Sequence, residues 1–234
     1  MGEGKQDASQ NFHFCPPASP IPPNAGELLR MSSSVYVHIV DDDNAVRESL
    51  ADLLRSMGYE AMLYGSTSEF LKVELPDAPA CLILDVRLPG TSGLELQEYL
   101  RRIDIRLPVI LMTGFGDIPM SVKGMKAGAV DFLTKPIRDQ DLLDAVTAAI
   151  QMDKSRRQEA AQIGQLRQRY SSLTSRERQV VKLVASGLMN KQVANELSIS
   201  EVTVKMHRGR AMRKLSAKSV AMLARMVDVL NIQG

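Results

Sequence analysis

Apolar positions recur along this chain in two rhythms. Val35–Val40 is a β-branched apolar run, as a strand requires, and Asn44–Met57 sets Val46, Leu50, Leu53 and Met57 on one helical face. Tyr59–Tyr64 reads as a weaker strand, and Ser66–Val73 as a short helix opened by Ser66. Cys81–Leu84 is continuously apolar, the signature of a strand buried on both faces. Gly93–Arg101 then reads as a helix, Val109–Met112 as a strand, Met120–Ala127 as a helix and Val130–Leu133 as a strand. In Asp139–Met152 the residues Leu142, Val146, Ala149 and Ile150 form one helical stripe. Strands alternating with helices in this way predict a parallel sheet with helices on both faces, over residues 35–152.

Beyond Met152 the strands stop. Residues 153–170 are polar and charged, and read as a linker or as a continuation of the preceding helix. Four short helical patterns follow, Ser175–Ser186, Lys191–Leu197, Glu201–Leu215 and Ser219–Leu230, predicting an all-α module over 171–234. Residues 1–34 hold 5 of the 11 prolines and no hydrophobic period, so they are expected to be a disordered tail, with Met31 a candidate alternative start. No internal repeat is visible.

Composition narrows the class. The chain has 234 residues, 44% hydrophobic and 24% charged, which excludes global disorder, and without Trp its cores must be built from Leu, Val, Ile, Met and Ala. No run approaches the roughly 20 apolar residues of a membrane span, and no secretory leader is seen. Cys15 and Cys81 cannot build a disulfide framework, so a cytoplasmic protein with reduced thiols and no membrane partner is expected. The net charge of +2 conceals a division: residues 35–150 carry 11 basic and 18 acidic side chains, net −7, whereas 171–234 carry 11 and 4, net +7. An acidic half suits a cation and a basic half a polyanion.

The predicted strands end in chemically selected residues. The first runs into Asp41, Asp42 and Asp43, the third into Asp85, the fourth into Thr113, and the fifth into Lys135-Pro136. Open parallel sheets bind ligands beyond these carboxyl ends, where strand order reverses. A 2-1-3-4-5 order would bring the first and third strands together. Clustered carboxylates repel unless a cation lies among them. Mg2+ fits, taking one or two carboxylates and phosphate oxygens. Asp41, Asp42 and Asp85 are therefore candidate metal ligands, Asp85 a candidate nucleophile for a phosphoryl group, and Lys135 and Thr113 candidate partners of its oxygens.

Val40-Asp41-Asp42-Asp43, Leu84-Asp85-Val86-Arg87-Leu88-Pro89-Gly90, Met112-Thr113-Gly114 and Thr134-Lys135-Pro136 resemble the receiver domain of bacterial response regulators. The resemblance implies a flavodoxin-like fold in which Asp85 accepts a phosphoryl group from a sensor histidine kinase. It also implies the Arg87 backbone carbonyl as a further metal ligand, Thr113 and Phe132 as a switch pair, a cis Lys135–Pro136 bond, and a dimer face around Val122, Met125 and Lys126. Two positions depart from the pattern: Gly124 lies inside a helix, at a cost of about 1 kcal/mol relative to Ala, and Ile137 stands where an aromatic often follows Lys-Pro.

In the basic half, Asn190–Leu197 and Glu201–Leu215 are joined by Ser198-Ile199-Ser200, with Ser200 placed to cap the second helix. At about 100° per residue, Val204, Ala211 and Leu215 share the inward stripe of that helix. Met206, Gly209 and Arg213 lie opposite, flanked by Lys205 and Arg210. A major groove admits such a helix, which makes Lys205 the leading base-contact candidate, with Met206 and Gly209 beside it. Lys191, Thr203, Arg208 and Arg210 are candidate phosphate contacts. Leu173-Thr174-Ser175-Arg176-Glu177-Arg178 and Thr203-Val204-Lys205-Met206-His207-Arg208 resemble the LuxR-type helix-turn-helix of the FixJ/NarL class. There the residue matching Glu177 is structural and pairs with an arginine.

Together these readings predict a phosphorylation-dependent, DNA-binding transcriptional regulator. Its expected partners are a histidine kinase, duplex DNA, RNA polymerase and a second copy of itself, with no turnover of an external substrate. Two rival classes fit less well. A phosphohydrolase of the haloacid dehalogenase class needs a second Asp two residues after its nucleophile, where Arg87 stands. A ligand-controlled LuxR-type protein would not require the carboxylates.

Overall fold

The structure is a computed structural model that describes residues 34–114 and 118–230. The tail ahead of Ser34, with Cys15 and Met31, lies outside the described residues. Five strands, β1 (Tyr36–Val40), β2 (Glu60–Tyr64), β3 (Ala80–Asp85), β4 (Val109–Thr113) and β5 (Asp131–Thr134), form a parallel sheet in the order β2-β1-β3-β4-β5. Between them run α1 (Asn44–Ser56), α2 (Thr67–Phe70), α3 (Gly93–Arg102) and α4 (Ile118–Lys126), and α5 (Asp139–Ser171) follows β5. The α/β fold expected of the first module is thus observed.

Side-chain alternation builds a core on each face. Val37, Ile39, Cys81, Ile83, Ile110 and Met112 point toward α1 and α5, meeting Leu50, Leu54, Leu142 and Val146. Val40, Leu82, Leu84, Val109 and Leu111 point the other way, toward Phe70, Leu94 and Leu100. Register fixes the strand ends: Val40 pairs with Leu84, Asp85 with Met112, and Thr113 with Thr134. Strand order therefore reverses between β1 and β3 where both run into carboxylates.

One element differs from the sequence reading, and another settles an alternative that it left open. The helix expected over Ser66–Val73 is only Thr67–Phe70, because beyond it the bonding tightens to three-residue turns, Lys72 N–H to Glu69 O and Val73 N–H to Phe70 O. The stretch 153–170 is helical, continuing α5 to Ser171, and its first residue, Asp153, is fully buried. The Asp153 carboxylate accepts from Ala80 N–H at 3.1 Å, from Arg157 Nε at 2.7 Å and from Arg156, and Arg157 also reaches Asp77 at 2.6 Å. These bonds tie the long helix to the start of β3.

The remaining helices are α6 (Ser175–Ala185), α7 (Asn190–Leu197), α8 (Glu201–Leu215) and α9 (Val220–Val229), packed around Val180, Val184, Val193, Val204, Ala211, Leu215 and Leu223. Thr174 and Glu177 form a reciprocal capping box on α6. Buried Glu177 pairs with Lys214 at 2.7 Å rather than with the arginine the resemblance implied, because Lys214, one residue before the end of α8, packs against that cap. Its hydrogen bonds to Lys214 and Thr174 outweigh burial and hold its carboxyl below the usual range. No described helix is long and apolar enough to cross a membrane.

Candidate functional site

The acidic residues converge at the C-terminal edge of the sheet. Asp41 follows the last residue of β1 and is fully buried, and Asp85 ends β3 at 6% exposure. Asp43 serves as a helix cap instead, its Oδ1 accepting from Ala45 N–H at 2.8 Å at the start of α1. Asp42 stays exposed between them. Beyond β5 the cis Lys135–Pro136 bond precedes α5, and Lys135 Nζ lies 2.6 Å from Asp41 Oδ2 and 2.5 Å from Asp85 Oδ2. The other carboxylate oxygens accept backbone N–H groups, Asp43 N on Asp41 and Arg87 N on Asp85, both at 2.9 Å. Each acid is thereby held in one rotamer with one oxygen facing the lysine.

Burial pushes the Asp41 carboxyl above its usual range, against the opposing pull of Lys135 and of Asp43 N–H. Burial alone would lower Lys135, but its bonds to Asp41 and Asp85 outweigh that and keep the ammonium above its ordinary value. One oxygen each from Asp41, Asp42 and Asp85 lie within 4.8 Å of one another. A single lysine leaves that triplet short of positive charge, and an all-oxygen donor set suits a hard divalent cation such as Mg2+.

Thr113 closes the site on the β4 side. It is 1% exposed at the end of its strand, and its carbonyl accepts Lys135 N–H at 2.7 Å. Phe132 pairs with Leu111, two positions below the Thr113–Thr134 pair, so Thr113 and Phe132 lie on the same face of the sheet. Half-buried Phe132 packs against the cluster that contains Leu111 and Leu94. Gly124 of α4 faces the same cluster: a Cβ there would lie 2.2 Å from Leu111 Cδ1 and 3.2 Å from Leu94 Cδ2. The glycine that looked like a weak point in α4 is what lets that helix approach the sheet.

Gly93 escapes the sequence reading. It opens α3 behind the Ser92 cap, and a Cβ on it would lie 2.2 Å from the Asp85 carbonyl oxygen and 3.0 Å from the Asp85 carbonyl carbon. In sequence it reads as a helix start after Ser92, and nothing local betrays the contact.

In the second module Ser200 accepts Thr203 N–H at 3.1 Å and caps α8, as its position suggested. Lys205, Met206, Gly209 and Arg210 are exposed on α8, Thr203 is half-buried, and Lys191 is exposed at the start of α7. Arg208 turns toward α7, where its guanidinium donates to Asn190 Oδ1 at 2.9 Å. Val202, absent from the candidates above, is 76% exposed in the first turn of α8. The signal for it was available: it lies four residues before Met206 on the same stripe.

Residues 37–147 match the family described as the response regulator receiver domain, and residues 171–227 match the bacterial regulatory proteins of the luxR family. The chain is 51% identical over 207 residues to nodulation protein W of Bradyrhizobium diazoefficiens, covering 88% of this chain and 91% of that one. It is 47% identical over 204 residues to the response regulator protein TodT of Pseudomonas putida, covering 87% and 90%. The solved structure of the response regulator StyR superposes with a TM-score of 0.74 at 49% identity, over 84% of this chain and 99% of that one.

Proposed function

The chain belongs to the response regulators that join a receiver domain to a LuxR-family DNA-binding domain, and on that premise we propose that Asp85 takes a phosphoryl group from the phosphohistidine of a sensor kinase and that the modified protein binds promoter DNA as a dimer. The observation that carries the reading is Lys135 Nζ set between Asp41 and Asp85 inside the carboxylate triplet. In the transfer an Asp85 oxygen attacks phosphorus, the P–N bond breaks, and the departing imidazole takes a proton. Lys135 keeps its ammonium against the phosphoryl oxygens, and the Thr113 hydroxyl donates to one of them. Asp41, Asp42, Asp85 and the Arg87 carbonyl would hold Mg2+, which would supply further positive charge to those oxygens. The phosphoryl group stays on the chain, so no external substrate is turned over.

Thr113, drawn toward the phosphoryl group, frees space for Phe132 on the same face, and α4 with exposed Val122 and Met125 becomes the dimer surface. The units are a receiver over 35–152, a helical connector over 153–170 and a DNA-binding module over 171–234. There Lys205 carries base recognition, Lys191, Thr203, Arg208 and Arg210 contact phosphates, and RNA polymerase is the downstream partner. A cytoplasmic location follows from these partners.

Incubation with acetyl phosphate and Mg2+, followed by intact-mass measurement, tests the acceptor. The parent gains one phosphate and Asp85→Asn gains none; equal gain by both removes Asp85 from the role. Sedimentation with and without beryllofluoride tests the dimer, and identical monomer distributions at all concentrations would remove that step.

A further inference from the structure

We propose that, beside the base contact assigned to Lys205, the outward stripe of α8 reads thymine 5-methyl groups, with Val202 as the leading methyl contact and Gly209 as the point of closest backbone approach. The inference rests on the DNA-binding reading above and adds the chemistry of recognition. Around α8, at about 100° per residue, Val202, Met206 and Gly209 all fall within about 40° of the direction opposite Val204, the buried anchor. Val202 is 76% exposed and Met206 42% exposed, and neither belongs to the module's core. Val202 occupies the first turn, the part of a recognition helix that reaches base edges.

The stripe carries no hydrogen-bond donor on its side chains until Arg213, its one acceptor is the weak thioether of Met206, and Arg213 folds back toward the Gly209 carbonyl at 3.4 Å. A donor-free face cannot discriminate bases by hydrogen bonding. The feature of the major groove left for it to read is the thymine methyl. The flanks fix the occupant as duplex DNA: Lys205 and Arg210 are exposed on either side of the stripe, and the module carries net +7.

Gly209 is a second, independent observation. It lies inside a helix, where glycine is a poor former, its φ is not positive, and a Cβ built on it meets nothing within 4 Å. Nothing within the protein demands glycine there. A glycine on an outward helical face lets a ligand approach the backbone more closely than any side chain would allow.

The test uses the full-length protein with beryllofluoride and a duplex selected by it from a random library. Each thymine in the selected site is replaced in turn by uracil, which removes the methyl and nothing else. Burying one methyl is worth roughly a three- to fivefold change in affinity. The parent loses about that much at one or more positions in each half-site, and Val202→Ala loses less than about twofold at one of them. Gly209→Ala unfolds at a higher temperature yet binds the selected duplex at least about tenfold more weakly. Equal uracil penalties in parent and Val202→Ala at every position, or a selected site insensitive to uracil throughout, overturn the assignment to Val202. Undiminished binding by Gly209→Ala overturns the close approach. If the parent does not distinguish the selected duplex from a scrambled one, the DNA-binding reading falls as well, an outcome separate from the others.

Discussion

Gly93 has no side chain, yet it bears directly on where Asp85 sits. Replacing it by Ala would press a methyl into the Asp85 carbonyl, and because the obstacle is backbone, β3 or α3 must move. Misplacing a reacting group by about 1 Å can cost on the order of a hundredfold in rate. Gly93→Ala is expected to slow phosphate gain from acetyl phosphate at least about tenfold while the protein still folds, read by mass against time beside a melting curve; an unchanged rate would show that the contact relaxes without moving the carboxylate. His38 is the second such residue. It is 1% exposed in β1, its Nδ1 lies 3.0 Å from Tyr64 Oη, and its Nε2 has no partner. Burial lowers its pKa from 6.5 to about 4. As pH falls through 6.5 the unfolded chain binds a proton that the folded chain refuses, so this stabilisation is complete above 6.5 and drains away toward pH 4, by up to about 3 kcal/mol. Urea midpoints measured from pH 7 to pH 4 should fall less steeply for His38→Phe than for the parent, and parallel slopes would exclude the histidine as the cause. Neither residue was legible in advance. Asp41, Asp42, Asp85 and Lys135 were, because residue type and strand end coincide, whereas Gly93 and His38 acquire their roles only from neighbours distant in sequence.

The element that turns between α7 and α8 carries a backbone cost. Ser198 sits at φ 51, in the left-handed region, where a Cβ is penalised by roughly 1 kcal/mol. Ser198→Gly is expected to raise the stability of the second module by about 0.5–1 kcal/mol in thermal or urea unfolding, with DNA affinity unchanged; a loss of stability would mean that the serine hydroxyl makes a compensating bond. The turn and the Ser200 cap were legible in the sequence because each lies within a few residues of its partner, and the Thr174–Glu177 box, which the sequence reading passed over, is just as local. The Lys214 partner of Glu177 was not legible, since 37 residues separate them. The length of α5 was undecided for another reason: its apolar stripe fades after Ile150, and the Gln, Arg, Glu and Ala that follow are good helix formers that also suit a solvated linker.

The whole molecule is divided by charge and joined by one helix. The acidic receiver and basic module repel like partners and attract unlike ones, and the 33-residue α5 runs out of the first toward the second. Its anchor is Asp153, buried beneath Arg156 and Arg157 and bonded to Ala80 N–H. Asp153→Ala strands that N–H and leaves the Arg156 guanidinium without its carboxylate, while Arg157 keeps Asp77, so the receiver is expected to lose about 1–3 kcal/mol. Amides from about residue 150 to 160 should then exchange faster than in the parent; unaltered protection there would show that apolar packing alone holds the helix. An unbroken helix also makes the spacing between modules an angular quantity. Each added residue advances the far end by about 1.5 Å but swings it by about 100°, so one insertion points the DNA-reading surface sideways, whereas seven restore its heading to within about 20°. Inherited changes in connector length should accordingly survive in whole turns, and what selection measures between the two halves is heading before distance.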